Sequence, residues 1–109
     1  MSNDERKEAG DSGEQLALDY LSQRGLRLIA RNYRCKGGEL DLVMLDGKIL
    51  ALIEVRLRRD ASFGGAAASV TPTKQKRLVH AAKYLLLTRK DLARYRARFD
   101  VVAGSNLWQ

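Results

Sequence analysis

The chain has 109 residues, enough for one domain with a single core and too few for two. Its 20 Lys and Arg against 13 Asp and Glu leave a formal charge of +7, which favours a polyanionic partner, nucleic acid ahead of an anionic membrane surface. No apolar run approaches the length of a membrane span, and Met1 to Gly10 is polar with no stretch suited to a secretory signal, so the sequence reads as cytoplasmic with no membrane partner.

In chain order, residues 1–12 read as a flexible tail and 13–109 as one domain. Asp11 and Ser12 are N-cap candidates for a helix from about Gly13 to Arg24. Leu16, Ala17, Tyr20 and Leu21 give that helix one buried stripe, and Gly25 suits its left-handed stop. Leu26 to Tyr33 reads as a strand, and Arg34 to Gly38 as a basic turn. Glu39–Leu45 and Ile49–Leu57 are strands joined by Asp46-Gly47, a strong hairpin signal. Arg58 to Val70 is a loop rich in Gly and Ala. Thr71 and Pro72 make an N-cap and N1 pair for a helix to about Thr88, whose buried face is Leu78, Ala81, Ala82, Leu85 and Leu86. A helical turn over Asp91 to Tyr95 and a strand over Arg98 to Ala103 complete the chain. Three strands can pair as an antiparallel meander, and the second helix is long enough to cross over to a parallel fourth. The expected fold is α/β: a mixed sheet of about four strands flanked by helices.

The acids stand out against the basic background. With Asp46 and Gly47 at the turn, Leu45 faces Lys48, Asp41 faces Leu52 and Glu39 faces Glu54, so Glu39, Asp41, Glu54 and Arg56 share one face. Like charges directly opposite are destabilising, and Glu54 ends the run Ile49-Leu50-Ala51-Leu52-Ile53, which reads as a central strand buried on both faces. A carboxylate there costs several kcal/mol, by order of magnitude, unless it is paired, protonated or metal-bound. A hard divalent cation resolves the conflict. An ordinary ion pair of Glu54 with Arg56 is the competing reading.

Asp41 followed by Glu54-Val55-Arg56 resembles the Asp…Glu-x-Lys signature of the PD-(D/E)xK nuclease superfamily. More closely, the chain resembles the YraN-like family of small bacterial proteins, related to archaeal Holliday junction resolvases. The stretches that carry this are Gly13-Glu14 with Ala17, Tyr20 and Leu21; Arg31-Asn32-Tyr33-Arg34; Gly38-Glu39-Leu40-Asp41-Leu42; Glu54-Val55-Arg56; Phe63-Gly64; Lys74 with Arg77-Leu78; and Arg98-Phe99-Asp100-Val101-Val102. The resemblance implies a restriction-endonuclease-like core of order α-β-β-β-α-β. It implies a Mg2+ or Mn2+ site in which Asp41 and Glu54 are the two metal-binding acids and Glu14 the helical third. Position 56 departs from the pattern, because Arg stays protonated and cannot act as a base, although it can stabilise charge at a phosphate.

Arg31, Arg34 and Lys36 precede the acidic strand, Arg58 follows Arg56, and Lys74 and Arg77 crowd the second helix start, so cations bracket the acids as DNA binding requires. Asp100 is expected to pair with an arginine. Gln75 either leans toward the sheet or sits in a solvated turn, and Glu39 is a water-mediated ligand or a solvated strand end. His80 is the sole histidine, so any Ser-His or Cys-His scheme would run through it; it reads as a boundary residue. Cys35, also alone, excludes an internal disulfide. The leading expectation is a metal-dependent endonuclease acting on DNA, branched or structured DNA included, with Asp41, Glu54 and Arg56 as catalytic residues. A DNA-binding module that does not cut is the alternative. A scaffold whose acids form plain ion pairs is a third, and the sequence leaves room for a homodimer.

Overall fold

The computed structural model describes residues 3–57 and 70–104, and side chains over 13–56 and 70–103. The elements are α1 (Asn3–Gln23), β1 (Arg27–Cys35), β2 (Gly38–Asp46), β3 (Ile49–Leu57), α2 (Pro72–Thr88), α3 (Lys90–Ala93) and β4 (Arg96–Gly104). They form one sheet in the order β1-β2-β3-β4, antiparallel between the first three strands and parallel between β3 and β4. This is the mixed α/β sheet that the sequence leads one to expect.

The first helix differs from expectation at its start. It begins at Asn3, so the segment read as a tail is helical backbone, and Asp11 and Ser12 lie inside the helix rather than at its cap. Asp4 to Ala9 is dominated by strong helix formers with acids leading, a favourable order for the helix dipole. The end is as expected. Gly25, at φ 96°, donates to Ser22 O, and Leu26 N–H donates to Leu21 O at 3.1 Å, the paired bonds of a Schellman stop.

The β2–β3 register also needs correction. Asp46 pairs with Ile49, Leu45 with Leu50 and Leu42 with Ile53, so the turn residues are Gly47 and Lys48 instead of Asp46 and Gly47. Positive φ falls on Gly47 alone of the two, as in a turn that places glycine first. Asp46 instead ends the strand, where its carboxylate accepts from Arg98 at 2.9 Å. Each residue of β2 from Leu42 to Asp46 is thereby displaced by two along β3, which preserves the faces that these residues share.

Two cores lie on opposite faces of the sheet. On one, Val43, Leu45, Leu50 and Leu52 pack with Leu78, Ala81 and Leu85 of α2 and Leu92 of α3. On the other, Leu42, Met44, Ala51 and Ile53 pack with Ala17 and Leu18 of α1. The four-residue runs of β2 and β3 are apolar throughout because a helix covers each face. α2 starts as read: Thr71 Oγ1 accepts from Lys74 N–H at 3.2 Å and Pro72 occupies the first turn. Thr71→Ala should cost about 1 kcal/mol, read as a lower urea midpoint at unchanged slope.

Besides a bulge at Ile29 in β1, strict alternation fails at one further level of the sheet. Leu40 packs in the α2-side core with Val43 and Leu45, although alternation through Leu42 assigns it to the other face. β1 reverses at the same level, since Ala30 and Tyr33 both pack toward α2 while Arg31 bonds Gln15 on α1. Arg31 pairs with Leu42 and Tyr33 with Leu40, so the reversal spans the Asn32–Asp41 step, and Asn32 takes φ 53° there. Asn accepts that left-handed backbone more readily than most residues.

Candidate functional site

Glu54 lies on the α2 side of β3, next in phase after Leu50 and Leu52, and is only 3% exposed. Its Oε1 forms ion pairs with Arg56 Nη2 at 2.9 Å and Lys74 Nζ at 3.3 Å. Its Oε2 is buried with no hydrogen-bond partner among the described residues. Asp41 stands where the β2–β3 backbone ladder ends, and its Oδ2 accepts Val55 N–H at 2.8 Å, so a carboxylate continues the ladder beyond Leu42.

These surroundings push the Glu54 carboxyl up to about 7. Burial is the largest cause and the charge of Asp41 the second; Arg56 pulls the other way, while the closeness of the Asp41 side chain and the charge of Glu39 add to the rise. Near neutral pH the pair therefore holds its charge poorly. Hard carboxylate oxygens with one buried oxygen unsatisfied suit Mg2+ or Mn2+ better than a soft metal.

Glu14, on α1, is also buried, at 7% exposure. With its amide nitrogen turned inward, Asn32 donates to both Glu14 oxygens, at 2.8 and 3.1 Å. The structure thus brings Asp41 to Glu54 and Asn32 to Glu14. Among the described residues no three acids, histidines or cysteines are grouped to hold a cation, so Glu14 is not gathered with the other two.

The expected DNA-contacting residues divide. Arg31 donates to Gln15 at 2.9 Å on the α1 side, apart from the rest. Arg34, Lys36 and Arg77 line an open cleft of about 820 Å³ between the β1–β2 turn and α2. Lys74 is held at Glu54, and Arg58 lies outside the described residues. Glu39 sits between Arg34 and Arg77, at 3.7 and 3.9 Å, and the observed β2–β3 register does not set it opposite Glu54. Asp100 accepts from Arg98 at 2.7 Å, the arginine pairing expected of it. Gln75 is exposed and bonds Val70 O at 3.1 Å, apart from the acids.

Two residues acquire roles that the sequence reading did not give them. Lys74, read as a phosphate contact, delivers its ammonium to the buried glutamate. Asn32, quoted within a motif but given no role, holds Glu14. The available signal for Asn32 was its residue type, one of the few that tolerate positive φ; for Lys74 no local signal existed, because its contact spans α2 and β3.

Residues 13–103 match the model of the uncharacterised protein family UPF0102. The chain belongs to this family. It is 56% identical over 95 residues to a UPF0102 protein of Pseudomonas putida (strain W619), an alignment covering 87% of this chain and 77% of the relative. Identity to a UPF0102 protein of Herminiimonas arsenicoxydans is 56% over 98 residues, covering 90% and 77%. For that of Saccharophagus degradans it is 50% over 96 residues, covering 88% and 81%. UPF0102 is the YraN-like family that the motifs resemble. The matched span runs from Gly13 to Ala103 and so contains Glu14, Asn32, Asp41, Glu54, Arg56 and Lys74 of this UPF0102 protein.

Proposed function

We propose that this protein is a Mg2+- or Mn2+-dependent endonuclease that hydrolyses phosphodiesters in DNA, with a site of the PD-(D/E)xK type. The observation that carries the reading is Glu54, a glutamate 3% exposed, pressed against Asp41 and left with one unpartnered oxygen. Such a pair is costly without a cation. When bound, the divalent ion supplies an acidified water and stabilises charge developing on the phosphate. Asp41 and Glu54 would hold it, while Glu14, held by Asn32 on the α1 side, stands apart from them. Arg56 keeps its proton and holds the scissile phosphate electrostatically. Lys74 provides the amine that position 56 lacks, on the same glutamate and therefore at the reacting centre.

The test is incubation of branched, single-stranded and duplex DNA with magnesium, manganese or EDTA. Cleavage is expected with either metal and none in EDTA. Arg56→Lys should keep or raise the rate and Arg56→Ala lose it, while Lys74→Ala should fall about 100-fold if the amine moves a proton. The second reading, a DNA-binding module that does not cut, is favoured by Arg56 itself. Binding without hydrolysis by the parent and Arg56→Lys, on all three DNA forms and with both metals, would establish it.

A further inference from the structure

We propose that the cleft between the β1–β2 turn and the outer face of α2 binds unpaired nucleotides of a DNA strand, and so selects DNA with a single-stranded segment beside the cut. The choice of DNA as the polyanion rests on the nuclease reading. The single-strand preference rests on the cleft itself. Its walls carry Arg34, Lys36, Lys76 and Arg77 and, among the described residues, no acid, beside two rings, His80 and Tyr84, one helical turn apart on α2. At about 820 Å³ it falls in the range of true ligand clefts, roughly 300–1,000 Å³.

Cations alone fit the backbone of any duplex. Rings set among them fit unpaired bases, whose faces are available for stacking while the phosphates meet the cations. In a duplex those faces are occupied by neighbouring bases. Tyr84 is 49% exposed, so its ring is accessible, and the turn abuts His80, since a Cβ on Gly37 would stand 3.4 Å from the imidazole. Arg34 and Arg77 on its wall both reach Glu39, whose charge acts on Glu54, so the cleft neighbours the acids. A strand bound there would have its next phosphates near the candidate metal centre.

The experiment measures binding in EDTA, so that cleavage plays no part. Labelled oligo(dT) of ~12 nucleotides is compared with a duplex of equal length by fluorescence anisotropy. The parent should prefer oligo(dT). Tyr84→Ala should weaken that binding about tenfold while changing duplex binding by less than about twofold, and Tyr84→Phe should bind as the parent does. Tighter binding of the duplex by the parent, equal losses on both probes, or no loss in Tyr84→Ala would overturn the proposal. If this pattern holds while no DNA is cut with either metal, the cleft stands and the nuclease reading falls.

Discussion

Glu54→Gln is expected to melt at a higher temperature than the parent in EDTA at pH 8, and to lose the further rise that manganese gives the parent. The glutamate stands at about 7 in the folded chain against 4.5 as its ordinary value. Between these values the folded state binds more protons than the unfolded state, so stability falls as pH rises from 4.5 through 7 and then levels off. The full displacement corresponds to about 3 kcal/mol at pH 8. Gln escapes that cost, which is already net of the pull of Arg56. The expected gain is therefore about 3 kcal/mol at pH 8, on the order of 10 °C for a chain of this size. Below about pH 4 the two proteins should converge. Millimolar manganese should stabilise the parent by binding its folded state, and leave the variant unmoved. An equal manganese response in both would remove Glu54 from the cation site.

Gly38→Ala is expected to be among the most damaging single substitutions, on the order of 3 kcal/mol or more. A Cβ at position 38 would lie 2.5 Å from Arg77 O, 2.8 Å from Ala81 N and 3.0 Å from Ala81 Cβ. None of these is the tip of a flexible side chain. α2 would have to lift from the sheet, loosening Leu40, Ala81 and Leu85 together and carrying Arg77 and Lys74 with it. Urea unfolding reads the loss directly. A change below about 1 kcal/mol would mean that α2 moves on the sheet far more freely than this packing allows.

Most of the fold was legible because it is written in short-range terms. The Thr71-Pro72 start, the glycine stop at Gly25, the apolar runs of β2 and β3, and the length of the crossover each depend on neighbouring residues. The family was legible from an ordered set of motifs. What escaped was set by distant partners. Asp46 belongs to the strand because Arg98, on β4, meets it across the sheet. Helix formers outside any visible apolar stripe extend α1 back to Asn3. The burial of Glu54 was foreseen from an apolar run ending in glutamate and its partnership with Asp41 from the resemblance, while the expected register set Glu39 opposite it. The amine of Lys74 reaches Glu54 through a packing of α2 on β3 that no spacing in the chain encodes.

The face reversal at Asn32 and Asp41 bears on how this sheet avoids misassembly. In an ordinary hairpin, slipping by two residues is the quiet error, since every side chain keeps its face and only the ends change. A turn alone discriminates poorly against it, and the Asp46-Gly47 reading of the hairpin is an instance of that slip. Here the slipped pairing would carry Asp41 away from Val55 N–H, leaving an amide in a central strand without its acceptor. A matching slip of β1 against β2 would set Asn32, with its left-handed backbone, opposite a residue that does not reverse with it. Asp41 of the candidate site thus doubles as a registration mark, and a chain assembled two residues out of step forfeits its chemistry and its sheet at once.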